Sequence, residues 1–258
     1  MKRLIFIASI FFLPLTIVLA KTDDWNITKS THFIVHYKNA QEDFLERLIE
    51  RAEDYYNEIA DDLGFRRFDF WLWDKRAKIY IYDDAQEYQA ATGQPSWSAG
   101  CAVASEKIIK TFPYAQGFFD TILPHEMGHI IFREFVGFYN YAVPIWLDEG
   151  VACYQENLRR AIANRIVKEA MEENSFIDLE KLSNFNPQSF QDSRSVNLFY
   201  AESLSIIDFL IKEFGSDNFV LFCQNLRDKK NLEAALRSAY PFSNIKELDR
   251  TWQRYLGQ

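Results

Sequence analysis

The stretch Pro124-His125-Glu126-Met127-Gly128-His129-Ile130-Ile131 carries two of the four histidines in this chain of 258 residues. Side chains four residues apart lie on one face of an α-helix, so a helix here would direct both imidazoles at one point. Two such imidazoles can hold one metal ion, and the glutamate between them projects beside an open coordination position. The spacing predicts a helical metal site with His125 and His129 as ligands and Glu126 as a catalytic base.

The third protein ligand distinguishes between two known arrangements of this motif. One arrangement needs glycine three residues after His129 and histidine three residues further, but the chain has Phe132 and Phe135 there. The other takes a glutamate from the next helix, and Glu149 follows His129 by twenty residues. A hairpin of two helices brings that glutamate back towards the histidines. We therefore predict one zinc ion per chain, held by His125, His129 and Glu149.

Two segments resemble a known family of enzymes. Residues 146–150, Trp-Leu-Asp-Glu-Gly, are similar to the Trp-Leu-x-Glu-Gly segment of gluzincin metallopeptidases, in particular the compact peptidase MA-like domains of the thermolysin and aminopeptidase N superfamily. The resemblance implies a zinc-dependent peptidase in which Glu149 is a zinc ligand. Residues 199–203, Phe-Tyr-Ala-Glu-Ser, resemble the tyrosine-bearing helix of aminopeptidase-like members. That similarity implies a second catalytic residue, Tyr200, which stabilises the oxyanion; the alternative is an ordinary packed tyrosine.

The chain also departs from the family pattern. The Gly-x-Met-Glu-Asn stretch that binds a free N-terminus in aminopeptidase N relatives is absent, so strict aminopeptidase action has no support. Thermolysin relatives place an aspartate four residues after the ligand glutamate, where this chain has Cys153. Zinc-bound histidines need an acceptor on the second ring nitrogen, and Asp148 is one candidate. Residues 99–103 resemble the edge strand that pairs with substrate in gluzincins, although an ordinary hairpin is an equal alternative.

The pattern of apolar residues predicts an α+β fold. It consists of a small N-terminal mixed sheet with helices, followed by a zincin helical core and a C-terminal helical subdomain. Strands are expected over 32–37 and 78–82, with a hairpin or paired edge strands over 97–110. Helices are predicted over 41–63, 84–92, 119–136, 144–171, 197–214, 218–228, 231–240 and 243–256, with Ser243 capping the last one.

The N-terminus has the composition of a secretory signal peptide. Lys2 and Arg3 precede an apolar run over 4–19, and cleavage is expected near Ala20. The predicted mature protein is a single domain over 21–258, with a strand-rich lobe over 21–115 and a helical lobe over 116–258. We therefore predict that the protein is exported to the periplasm or the extracellular space. The alternative is that residues 4–19 stay attached and anchor the chain in the membrane.

The amino-acid composition limits the classes of partner that the protein is expected to bind. The formal net charge of −8 does not suit nucleic acid, whose phosphates are bound through Lys and Arg. An aromatic content of 16% indicates an aromatic-rich core. Three cysteines, Cys101, Cys153 and Cys223, are an odd number, and at least one is expected to be a buried free thiol. His32 and His36 share one face of a strand without acidic or thiol neighbours at ligand spacing, so no second metal site is predicted there.

Three functions fit these observations. The first is an exported zinc metallopeptidase acting on a peptide or protein substrate. The second is a non-catalytic, zinc-containing protein-binding module of the cell envelope, against which the presence of Glu126 argues. The third is a structural or adaptor protein in which the motif is incidental, and that function predicts no stoichiometric metal.

Overall fold

The computed structural model describes residues 25–65, 71–96, 98–113, 115–184 and 192–257. Its α+β architecture confirms the predicted fold class: a five-stranded mixed sheet comes first and a helical region follows. The predicted signal peptide lies outside the described residues, and the boundary between the two lobes stays a prediction. Within the described ranges, no helix is both long and apolar enough to cross a membrane.

The sheet has the strand order β1-β2-β3-β5-β4. The three central strands β2, β3 and β5 run parallel, whereas β1 and β4 are antiparallel edge strands. Their bounds are β1 Asn26–Lys29, β2 Phe33–Tyr37, β3 Ala77–Ile81, β4 Gly100–Val103 and β5 Ile108–Thr111. The predicted pairing within 97–110 is confirmed, since β4 and β5 form a hairpin. Among the strands that the structure describes, β4 pairs with β5 alone, so its other edge is an unpaired sheet edge that faces the helical region.

The residues that the structure describes form ten α-helices. Two belong to the sheet region, namely α1 Glu42–Asp62 and α2 Ala85–Thr92. The others are α3 Leu123–Val136, α4 Ile145–Tyr154, α5 Asn157–Glu172, α6 Leu179–Ser183, α7 Ser193–Phe214, α8 Ser216–Lys229, α9 Leu232–Ala239 and α10 Ile245–Leu256. A π-helical turn, Phe118–Ile122, leads directly into α3.

The structure departs from the sequence predictions at four points, and the first is α6, which lies outside every predicted helix. The helix expected over 144–171 is two helices, because Glu156 adopts an extended conformation between α4 and α5. Strand β1 was missed because only four residues form it and they alternate weakly. The last helix is capped by the Asn244 side chain rather than by Ser243, since the Oδ1 atom of Asn244 accepts a hydrogen bond from the Glu247 backbone N–H.

Two glycines let the three helices that carry the site approach closely. A Cβ on Gly128 of α3 would lie 3.0 Å from the Cα of Ala152 in α4. A Cβ on Gly150 of α4 would lie 2.4 Å from the carbonyl oxygen of Ser203 in α7. Neither approach leaves room for a larger residue, because atoms of the backbone block the space.

The core between sheet and helices is rich in aromatic side chains, which confirms that prediction. Its fully buried members include Trp71, Trp146, Trp252, Phe33, Phe132, Phe199, Phe209 and Phe219. All three cysteines are free thiols, and Cys153 and Cys223 are buried, as expected for at least one of them. His32 contacts Glu53 and His36 stacks on Tyr80, so both histidines have structural partners.

Candidate metal centre and active-site cleft

Helix α3 presents the two histidines of the motif on one face, as their spacing predicts. The Nε2 atoms of His125 and His129 lie 3.2 Å apart, one turn of helix from each other. Both side chains are largely buried, with 19% and 16% of their surface exposed. The two imidazoles are therefore fixed at the floor of a cleft and not displayed on the protein surface.

Helix α4 brings Glu149 to the same point. Its Oε2 atom lies 3.6 Å from the Nε2 atom of His125 and 3.6 Å from that of His129. A tetrahedral zinc ion with ligand atoms at about 2.0–2.1 Å separates those atoms by about 3.3 Å. The observed spacings of 3.2–3.6 Å match that value. The donor set of two imidazoles and one carboxylate therefore fits zinc in both chemistry and geometry.

The electrostatics of the cluster also suit a cation. Burial acts against the charged form of His129, but the carboxylates of Asp148 and Glu149 overcome it and raise its pKa to about 10. Burial likewise opposes ionisation of Glu149, yet the two histidines hold the pKa of that carboxyl well below its usual range. A site that stabilises a proton on an imidazole in this way can stabilise a divalent cation in its place.

A carboxylate orients His129 from its second ring nitrogen. The Nδ1 atom of His129 lies 3.1 Å from Oδ1 of Asp148, which is the candidate partner that the sequence offered. Arg133, one turn after His129 on α3, holds the other carboxylate oxygen at 2.7–2.8 Å through two guanidinium nitrogens. The ring is thereby fixed in the orientation that points Nε2 at Glu149.

His125 has a partner that the sequence did not reveal. Its Nδ1 atom lies 2.8 Å from Oε1 of Glu156, a buried residue in the break between α4 and α5. Arg159 donates to the other carboxylate oxygen at 3.0 Å. The Cys153 sulfur, at the position where thermolysin relatives have aspartate, lies 3.9 Å from the same ring nitrogen. Glu156, three residues after Cys153, therefore contacts the second ring nitrogen of His125 in place of that aspartate.

The atoms of His125, Cys153 and Glu156 also lie close enough together to suggest a second metal group. We interpret them as an orienting cluster instead, because the Nδ1 of His125 is already hydrogen-bonded to Glu156 and that carboxylate is paired with Arg159. No local spacing in the sequence marks Glu156, because it lies in the extended break after α4 and not on a helical face shared with Glu149.

Helix α7 places Tyr200 in the same cleft as the three candidate ligands. Burial, reinforced by the nearby carboxylate of Glu149, raises the pKa of Tyr200 to about 12, so its hydroxyl is a neutral donor at pH 7. The Arg159 guanidinium lies 5.3 Å from the centre of the Tyr200 ring. This hydroxyl donates to no group in the described part of the chain, so it is free to bind a substrate oxygen.

The cleft has a volume of about 820 Å³, which suits several residues of a peptide. Glu126 lines it beside the histidines, and the edge strand β4 lines it through Gly100, Cys101 and Ala102. A Cβ on Gly100 would lie 2.5 Å from the Ile122 side chain, so packing against the turn before α3 explains this glycine. The structure thus brings every predicted site residue into one cleft.

Two helices of this α+β fold thus direct two histidines and a glutamate to one point in a cleft, an arrangement that could hold a metal ion. The family model of the peptidase MA superfamily matches residues 72–258, and the chain belongs to this superfamily. The resemblance drawn from the sequence is therefore confirmed. Membership indicates a protease of a superfamily that is generally zinc-dependent, and it implies peptide or protein substrates. A search of curated proteins found no match.

Replacing Glu156 tests its role as an orienting residue. Glu156→Gln is expected to weaken zinc binding by about 10–100-fold, because the amide keeps the shape of the side chain but removes the charge opposite His125. Zinc affinity would be measured by competition with a chromogenic chelator. Glu169→Gln is the matched control, since this α5 glutamate is 63% exposed and distant from the cluster. Equal zinc affinity in both variants would show that Glu156 does not orient the zinc ligand His125.

Proposed function

We propose that the protein is a zinc-dependent peptidase that hydrolyses peptide bonds. His125, His129 and Glu149 bind the zinc ion, and Glu126 is the general base. The observation that carries this proposal is the convergence of the three ligand atoms, 3.2–3.6 Å from one another, in a cleft that Glu126 also lines. That geometry leaves one tetrahedral position for a water molecule or the substrate.

Zinc bound at this point would lower the pKa of a water molecule towards neutrality and polarise the carbonyl group of the substrate. The chain itself supplies the proton transfers. Glu126 accepts the proton of the water as its oxygen attacks the carbonyl carbon, and then passes that proton to the nitrogen of the leaving amine. Glu126 lines the same cleft as the three proposed zinc ligands.

The Tyr200 hydroxyl has the properties of an oxyanion donor. It remains protonated at neutral pH, it is not engaged with another group in the described chain, and it faces the cleft. As the carbonyl carbon becomes tetrahedral, its oxygen gains negative charge, and a fixed neutral donor stabilises that charge more than the ground state. Tyr200 is thus proposed as the second catalytic residue.

The edge strand β4 is proposed to hold the substrate backbone. Its free edge borders the cleft, and an extended peptide can add to such an edge through main-chain hydrogen bonds. This addition would place a scissile bond across the cleft near Glu126. We further propose export of the mature chain after cleavage near Ala20, on the basis of the N-terminal sequence; the mass of the purified chain checks this.

A zinc-containing but non-catalytic binding module of the cell envelope is the alternative function. It would keep the ligands His125, His129 and Glu149 and use the cleft for recognition alone. The two functions differ in what Glu126 does, because a binding module has no need for a base beside the open position. The presence of both Glu126 and a free Tyr200 hydroxyl favours the peptidase.

Metal content tests the proposal first. Residues 21–258 of the wild type are expected to contain zinc in a 1:1 ratio by elemental analysis, and Glu149→Ala is expected to lose most of it because a three-ligand site becomes a two-ligand one. Glu169→Ala, on the exposed face of α5, controls for removal of a carboxylate. If the wild type contains no zinc even after metal is added back, the motif does not form a metal site and the peptidase proposal is wrong.

A further inference from the structure

The loop between α3 and α4 is held in one conformation by a buried asparagine. Asn140 is 4% exposed, and its side-chain amide donates to the carbonyl oxygens of Val136 and Leu226 at 3.0 Å each. Its side-chain oxygen accepts a hydrogen bond from the backbone of Ala142 at 3.1 Å. Gly137 begins the loop with φ +101°, which favours glycine. The loop is therefore a fixed part of the cleft wall.

The two neighbours of Asn140 are directed outward. Tyr139 is 75% exposed and Tyr141 is 95% exposed, and both line the cleft that contains the candidate zinc ligands. Neither ring makes a hydrogen bond or an aromatic contact within the residues that the structure describes. We call these two residues the tyrosine pair. A tyrosine loses little conformational entropy on binding and offers a large contact area, so exposed tyrosines at a rigid cleft are suited to recognition.

Apart from Glu126, the charged groups among the described residues of the cleft lining already have partners. Arg133 is the one cation besides the histidines among the described residues that line it, and it is paired with Asp148. No lining cation in the described part of the chain is therefore free for the carboxylate of a peptide C-terminus. Two of the lining carboxylates, Asp148 and Glu149, contact the histidines, whereas Glu126 is assigned to the attacking water by the proposed function. A free α-amino group therefore finds no acid in the described lining apart from the proposed base.

We propose that the tyrosine pair binds a large apolar or aromatic side chain in an internal segment of a polypeptide, which makes the protein an endopeptidase. This inference rests on the proposed function, because the same cleft performs both tasks. The rings of Tyr139 and Tyr141 supply the contact area, and Asn140 holds them in place before the substrate arrives. Apart from the proposed base Glu126, the described lining offers no free charge to hold a chain terminus, so the substrate can run past the site at both ends.

Cleavage of a denatured protein, followed by mass spectrometry of the products, tests the inference on the zinc-loaded wild type. Cuts are expected within the chain and next to large apolar residues. Tyr139→Ala and Tyr141→Ala are each expected to lower kcat/KM for such sites by about tenfold, because loss of a central aromatic contact commonly costs that much. The phenylalanine variants should retain activity, since the ring supplies the contact. Trp73→Ala is the matched control, as this aromatic side chain is 80% exposed outside the cleft.

A binding measurement separates this inference from the proposed function. Peptides with one internal Phe or Leu, and matched peptides with Ala there, would be titrated into the zinc-loaded Glu126→Gln protein by fluorescence anisotropy. Tighter binding of the apolar peptides, lost in the tyrosine-to-alanine variants, supports the tyrosine pair even if the wild type cleaves nothing and the peptidase proposal fails. Terminal trimming, equal binding of both peptides, or unchanged behaviour of the alanine variants would overturn the inference while zinc-dependent cleavage still stood.

Discussion

Glu126→Gln is expected to lower kcat/KM for peptide hydrolysis by at least about 100-fold, since general base catalysis commonly contributes a factor of this size or more. Glutamine has the shape of glutamate but does not accept a proton from water at neutral pH. Zinc content should remain at the wild-type level, because Glu126 is not among the three converging ligands. Hydrolysis would be followed with an internally quenched peptide, and bound zinc by elemental analysis of the same preparation.

Glu106→Gln supplies the control for that experiment. Glu106 is an exposed glutamate in the turn between β4 and β5, so its replacement makes the same chemical change near the cleft without touching the site. It should leave both hydrolysis and zinc content unchanged. Full activity in Glu126→Gln would exclude Glu126 as the base, and loss of zinc from that variant would instead make Glu126 a participant in metal binding.

Gly150→Ala is expected to destabilise the fold by about 3 kcal/mol, at the upper end of the usual cost of overpacking. The new methyl group would lie 2.4 Å from the Ser203 carbonyl oxygen and 2.9 Å from the Ile207 side chain, and the backbone atom cannot rotate away. Helices α4 and α7 must therefore separate. The midpoint of thermal unfolding should fall by about 6–12 °C for a chain of this size, as measured by circular dichroism.

Gly257→Ala makes the same chemical change where there is space. The nearest atoms to a Cβ at Gly257 are 3.6 Å away, which is ordinary contact, and the residue has a helical conformation. Its unfolding midpoint should stay close to that of the wild type. Equal stability of the two variants would show that α4 and α7 are not in the tight contact described above. Gly150→Ala should also weaken zinc binding, because a shift of α4 moves Glu149 relative to His125 and His129 on α3.

The part of the site that the sequence predicts is the part governed by local spacing. His125 and His129 are one helical turn apart, so the geometry of a single helix is enough to pair them. Glu149 required one more assumption, a helical hairpin, and the structure has that hairpin. The α+β division was also predictable, because the apolar pattern changes from strands to helices along the chain.

The partner of His125 depends on an interruption that local pattern does not reveal. Residues 144–171 look helical throughout, yet the chain leaves the helix at Gln155 and Glu156. Gln155 bonds back to the Val151 carbonyl oxygen, and Glu156 turns inward to His125. Burial of a polar residue costs free energy unless it has a hydrogen-bond partner. Gln155 finds its partner four residues back, but the partner of Glu156 is His125, which lies 31 residues earlier and is invisible to periodicity.

The strand order and the close helix contacts escaped prediction for a related reason. The pairing of β3 with β5 and the placement of β4 at the edge depend on how the chain crosses over the sheet. In the sequence, Gly128 and Gly150 cannot be told from other helical glycines, because their close contacts are with the backbone of neighbouring helices. The sequence does mark both positions, since Gly128 lies between the two histidines of the motif and Gly150 ends the segment 146–150 that resembles the family.

The Asn140-centred loop has a practical consequence for redesign. Its anchoring groups, Gly137 and Asn140, are separate residues from the two that face the cleft, Tyr139 and Tyr141. Arg133 contacts the loop at these anchors: its carbonyl oxygen accepts from the Gly137 backbone at 2.8 Å, and its guanidinium donates to the Asn140 carbonyl oxygen at 3.3 Å. Positions 139 and 141 can therefore be randomised as a pair in a library without disturbing the residues that orient His129. Selectivity and metal binding would then be tuned as separable traits within one scaffold.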